Sequence, residues 1–155
     1  MKIFCARTAL SSSNNSGKPS VASSIRAPWP RDYYMVAILD RPANLNYSSR
    51  AAGAAYCVAD VSTEAFRRFH VALFARQPSE TAATFPTDTQ LAETARQAGA
   101  DDADCIISER YSPMVQSLAQ ATGIKSTPTV RINGQEHEFS TPAALAEKAK
   151  EIAGR

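Results

Sequence analysis

Three groups of residues in this sequence could do chemistry: Cys5, Cys57 and Cys105; His70 and His137; and the carboxylates Asp101, Asp102 and Asp104. A cysteine acts as nucleophile or metal ligand through its thiolate. A structural zinc centre needs about four Cys or His ligands at close spacing. The chain has no Cys-x-x-Cys and no cysteine–histidine cluster, so neither a metal nor a cofactor is expected. The aspartates fall at a loop and a helix start, where the helix dipole accounts for them. A calcium loop would need more oxygen ligands at regular spacing. His70 follows Phe69 on an amphipathic stretch and reads as a partly exposed surface histidine; Arg50 in "YSSR" reads as a local cap or ion pair.

Cys5 stands in "KIFCART", a Cys-x-x-Thr after a short apolar run, and is the one monothiol candidate. A reactive thiol of this kind needs a helix behind it. The following "ALSSSNNSG" is a poor helix, which favours an incidental cysteine. The other segment that draws attention is "ATGIKSTPTVRINGQEHEF". It reads as the end of a helix at Gly123, a strand beginning at Thr127-Pro128-Thr129, a turn at Asn133-Gly134 and a second strand. Taken alone, Pro128 suits the first residue of a strand, where its missing N–H is harmless.

The elements that must position these residues follow from patterning. Residues 11–30 are rich in Ser, Asn, Gly and Pro, so residues 1–30 are expected to be a disordered leader. The alternative is that "KIF" adds an edge strand. "DYYMVAIL" has the aromatic and β-branched content of a buried strand over 32–39. "SSRAAGAAYCVA" is an Ala-rich helix with Ala51, Ala52, Ala55, Tyr56 and Ala59 at helical spacing. Ser62 can cap a second helix carrying Phe66, Phe69, Leu73 and Phe74 along one face. Thr87 and Gln90 form a capping box before "DTQLAETARQAG". Helices follow over Asp102–Arg110 and from Ser112-Pro113 to Thr122. Thr141-Pro142 opens the last, with Leu145, Ala149 and Ile152 facing in.

A chain of 155 residues with 44% hydrophobic content suits one domain with a real core. The net charge of +2, without a Lys/Arg run of five or more, argues against a dedicated nucleic-acid partner. The sequence has neither an apolar run long enough to span a membrane nor the apolar core of a secretory signal.

Three segments, "VAILDRPANLNYSSRAAGAAYCVAD", "FRRFHVALFARQPSE" and "GIKSTPTVRINGQE", resemble the DsbA-like thioredoxin-fold family of actinobacterial type, in its order, over about residues 33–153. The resemblance implies an α/β thioredoxin-like fold, a partial domain over 31–155 with a helical insertion at about 46–122. It implies a cis bond before Pro128 that leaves the Thr127 backbone free to pair with a substrate polypeptide, making Thr127 and Pro128 substrate-binding residues. Such a bond costs only ~0.5–1 kcal/mol relative to trans. The implied partner is an extended polypeptide or a thiol protein. Cys57 and Cys105 resemble a structural disulfide found in some relatives, worth roughly 4 kcal/mol for a loop of this length. Two buried free thiols, packed as small apolar groups, are the alternative in a reducing compartment.

The departure from the family lies ahead of "DYYMVAIL". There the family carries its first strand and the Cys-x-x-Cys of its active-site helix, and this chain has Ser, Asn and Pro. The expectation is therefore an N-terminally truncated relative of a thiol–disulfide oxidoreductase that forms disulfides in exported proteins. It would lack a central strand and the active-site helix, and be inactive alone. A non-catalytic polypeptide-binding module is the alternative. A transferase holding a thiol cofactor is a third reading, and it would need an apolar pocket that the sequence does not advertise. Family members usually act outside the cytoplasm, although no export signal is readable here. An open sheet edge would permit self-association.

Overall fold

The computed structural model describes residues 5–8, 32–132, 134–138 and 141–153. Its elements in chain order are β1 (Cys5–Thr8), β2 (Asp32–Tyr34), α1 (Tyr47–Val61), α2 (Thr63–Ala75), α3 (Asp88–Gln97), α4 (Ala103–Ile107), α5 (Ser112–Thr122), β3 (Thr129–Ile132), β4 (Gln135–His137) and α6 (Pro142–Ala153). The strands form one sheet of order β2-β1-β3-β4. Helices α1 to α5 are inserted between β2 and β3, and α6 follows the β3–β4 hairpin. This is a thioredoxin-like α/β fold with a helical insertion.

The central gap expected in the sheet is filled. Cys5–Thr8 lies between β2 and β3, antiparallel to the first and parallel to the second. The expected leader over 1–30 therefore fails at residues 5–8, which form a central rather than an edge strand. "CART" carries little strand signal of its own. What recruits it is a pair of strands whose facing backbone groups would otherwise lack partners. Residues 1–4 and 9–31 lie outside the described residues.

The strand expected over 32–39 is paired only as far as Tyr34. Beyond it the Met35 N–H donates to the Tyr56 hydroxyl on α1 at 3.1 Å, which takes that donor out of the ladder. Met35 and Val36 remain buried without being sheet. The chain then turns through a 3-10 turn at Pro42–Asn44. Asp40 reaches forward to accept the Ser49 N–H at 3.0 Å, satisfying an orphan donor in the first turn of α1.

Helix α1 is the hub of the insertion. Ala51, Ala52, Ala54, Ala55, Cys57 and Val58 are all buried, so the helix has no wide solvent face; of the expected inward set, only Ala59 is exposed. Its small side chains let neighbours approach closely. A Cβ built on Gly53 would lie 3.0 Å from Ser112 Oγ and 3.1 Å from the Ser112 nitrogen, which fixes glycine where α1 meets α5. The expected caps form: Ser62 accepts from Glu64 and Ala65, and Thr87 and Gln90 close a capping box. Gly123, at φ 66°, ends α5 in the left-handed region that favours glycine. The helix expected over Asp102–Arg110 is shorter, because the chain leaves α4 after Ile107 and Glu109 takes φ 50°.

Cys57 and Cys105 form a disulfide joining α1 to α4, with Cα atoms 5.9 Å apart and a separation of 48 positions in sequence. Both cysteines are buried, and Phe69, Leu91, Ala95 and Ile106 belong to the same core cluster. The alternative of two free thiols is thereby set aside.

On α2, Phe66, Phe69 and Leu73 are buried, whereas Phe74, expected on the same face, is 42% exposed. Its ring packs on His70, centroids 4.8 Å apart, and His70 also meets Phe66 at 5.7 Å. His70 is thus half-buried between aromatic rings, lining a cavity of about 10 Å³ with Met35, Ala51 and Leu73. Burial lowers its pKa below the ordinary 6.5.

Two outcomes are expected. First, the disulfide closes a 48-residue loop, so Cys57→Ala/Cys105→Ala should unfold at lower denaturant than the oxidised parent. The loss should be about 2–4 kcal/mol in guanidinium titrations. Second, because burial lowers the His70 pKa in the folded state, the unfolded chain binds its proton at higher pH. Stability from this group is complete above pH 6.5 and is lost as pH falls from there toward the folded pKa. His70→Phe should flatten that part of the stability–pH curve, read from denaturation midpoints between neutrality and about pH 5.

Candidate functional site

The segment leading from α5 into β3 carries the Thr127–Pro128 step. Gly123 releases the chain from α5, and the Ile124 N–H returns to the Ala119 carbonyl at 3.1 Å. Ile124 is buried against Val36, with Tyr34, Ile38, Leu118 and Ala119 around them. That contact seats the start of the loop on the tail of β2. Lys125, Ser126 and Pro128 are exposed, while Thr127 and Thr129 are buried.

The Thr127–Pro128 peptide bond is cis, as the resemblance implied. Thr129 Oγ1 donates to the Ser126 carbonyl at 2.6 Å, closing the four residues 126–129 on themselves. Arg131 Nη1 donates to the Thr122 carbonyl at 2.9 Å and so ties β3 to the last turn of α5. Its other terminal nitrogen lies 3.5 Å from Glu136 on β4. The loop is therefore braced at both ends by side chains from the strand that follows it.

Of the candidate thiols, two are consumed: Cys57 and Cys105 sit in the insertion as a buried disulfide. Cys5 is the first residue of β1, and its backbone pairs in register with Thr129 on one side and Tyr34 on the other. The topology thus puts Cys5 one strand away from the residue after Pro128. Among the described residues no group of His, Cys, Asp or Glu could hold a metal ion. Asp102 caps α4 by accepting the Cys105 N–H at 3.3 Å, and Asp104 sits in the first turn of that helix, where its charge suits the dipole.

Arg50 is a structural clamp, in line with its expected local role but with longer reach. Its guanidinium donates to the Leu45 carbonyl at 2.9 Å, to Asp88 Oδ1 at 2.7 Å and to the Pro86 carbonyl at 2.9 Å, and lies over the Tyr47 ring. It binds the loop before α3 to α1. The bracing residues Thr129 and Arg131 were not singled out from the sequence. A hydroxyl directly after a Thr-Pro step was the available signal, because Thr side chains bond readily to nearby carbonyls.

Comparison with known proteins agrees with this geometry. A family model described as Thioredoxin matches residues 35–150. Among solved structures, oxidised DsbA of Mycobacterium tuberculosis is 55% identical with a TM-score of 0.75, covering 81% of this chain and 66% of its own. Reduced DsbA from the same organism is 53% identical at the same TM-score and coverage. The reduced disulfide bond oxidoreductase DsbG of M. tuberculosis is 56% identical with a TM-score of 0.72, covering 77% of this chain and 60% of its own. The chain thus spans a little under two thirds of these relatives' length. No curated protein sequence matches at a significant level. The match over most of the chain, joined to the inserted helices and the Thr127–Pro128 loop, means that this chain belongs to the DsbA-like thioredoxin-fold family.

Proposed function

We propose that this chain is the polypeptide-holding part of a DsbA-like thiol–disulfide oxidoreductase, and that by itself it does not cycle disulfides. The observation that carries the reading is the cysteine inventory. Of three cysteines, two are locked in a buried disulfide, and the sequence contains no Cys-x-x-Cys. Dithiol exchange needs an attacking thiolate and a second cysteine to resolve the mixed disulfide. Thr127 and Pro128 are the substrate-binding residues in this reading, their role carried over from the family. An extended polypeptide or thiol protein is the partner, held by main-chain pairing of the kind that adds a strand to a sheet.

A buried structural disulfide suits an oxidising, extracytoplasmic compartment. No helix among the described residues is long and apolar enough to cross a membrane. The edges of the sheet are β2 and β4, each three residues long. Self-association would proceed through one of them.

A second reading, a binding module with no redox role, is favoured by the bracing of the loop, none of which involves a thiol. A third possibility, Cys5 acting as a monothiol, draws on the register that pairs it with Thr129.

Two experiments test inactivity, the Cys5 alternative and polypeptide holding. In an insulin-reduction or dithiol-oxidation assay the chain should show no turnover above buffer; turnover abolished by Cys5→Ser would overturn inactivity and promote Cys5. In fluorescence anisotropy, a short labelled unfolded peptide should bind saturably with a sub-millimolar Kd. That binding should survive replacement of all three cysteines. Absence of saturation would count against polypeptide holding.

A further inference from the structure

We infer that Thr129 is a positioning residue for polypeptide binding: its hydroxyl latches residues 126–129 into the shape that presents Thr127. This inference rests on the polypeptide-holding role of the loop and adds the residue that sets the loop's shape.

The geometry is specific. Thr129 is the first residue of β3, and its side chain is buried. From there Oγ1 turns back to the Ser126 carbonyl at 2.6 Å, across the Thr127–Pro128 step. The bond spans the two residues assigned to substrate. It fixes the direction of the Ser126 carbonyl and hence the peptide plane that leads into Thr127. Ser126 and Pro128 are exposed on either side of the buried Thr127, so a bound chain would meet the loop at these two residues. Arg131 secures the base of the same segment through the Thr122 carbonyl, but five residues upstream of Thr127. The Thr129 bond acts within residues 126–129 themselves.

Without the hydroxyl, the Ser126 carbonyl would be free to turn to water, since Ser126 is exposed. The loop would then populate conformers that do not present Thr127. Apparent affinity falls in proportion to the competent fraction, with intrinsic contacts unchanged. Loss of one intramolecular hydrogen bond corresponds to a shift of roughly 3- to 10-fold.

The test compares Thr129→Val, which keeps shape and removes the hydroxyl, with Thr129→Ser, which keeps the hydroxyl. The probe is a short fluorescein-labelled unfolded peptide titrated against the whole chain. Thr129→Val should raise Kd by roughly 3- to 10-fold, and Thr129→Ser should bind like the parent. Amide exchange at Thr127 and Lys125 should quicken in the valine variant only. The pair Thr129→Ala and Thr129→Ser serves if valine disturbs folding, as judged by circular dichroism. Equal affinity in parent, valine and serine variants overturns the latch while leaving polypeptide holding in place. Failure of the parent itself to bind overturns both.

Discussion

The close approach of neighbouring helices to α1 is the constraint on which the insertion depends. A helix buried on nearly every side can pack only if its side chains are small, and Ala51, Ala52, Ala54 and Ala55 meet that need. Gly53 brings α5 to van der Waals contact, and Ser49 fastens the two helices by accepting from Gln116 at 3.2 Å. At the far end of α1, Cys57 is bonded to α4. At the near end, Arg50 gathers the loop before α3. A buried guanidinium is tolerated here because three of its donors find oxygen partners, one of them a carboxylate. A side chain at Gly53 would force apart a contact that is already at its limit.

This packing reaches the loop through α5. The helix is held to α1 at Ser112 and Gln116, and its last residues, Thr122 and Gly123, set where the chain begins its run toward β3. Ile124 then buries against Val36, two residues past the end of β2. The loop is therefore fixed on one side by the insertion and on the other by the segment that follows β2. Arg131 closes the arrangement by linking β3 to the Thr122 carbonyl. A backbone held this way loses little conformational freedom when a partner pairs with it, and reduced ordering is where preorganised sites gain affinity.

What could be read from the sequence was mostly local. Ser62, the Thr87–Gln90 box, Gly123 and Thr141 each mark a helix boundary through bonds to residues two to four positions away, and the helices begin or end there. Features set by distant partners were not legible. The strand after Asp32 ends early because a tyrosine hydroxyl 21 residues on captures the Met35 N–H. Phe74 falls on the periodic apolar face of α2, yet it sits next to the helix's end at Ala75 and is 42% exposed. β1 has no strand pattern of its own and takes its place from the strands on either side. Of the site, Thr127 and Pro128 were legible through their resemblance to a family. The braces at Thr129 and Arg131 depend on where α5 ends relative to β3, which local pattern does not encode.

The cysteine inventory and the loop geometry bear on different steps of thiol exchange, and here they come apart. Breaking and forming S–S bonds requires a thiolate at a site that lowers its pKa, with a second thiol within reach. Holding a polypeptide requires only a backbone with unspent donors and acceptors at a defined angle, beside apolar support. The first requirement depends on two side chains, and the chain has no Cys-x-x-Cys to meet it. The second depends on the packing of α5 and β3, on Ile124 in its cluster and on bonds from Thr129 and Arg131. None of those interactions passes through a cysteine. The loop's shape therefore rests on bonds and packing that no Cys-x-x-Cys supplies.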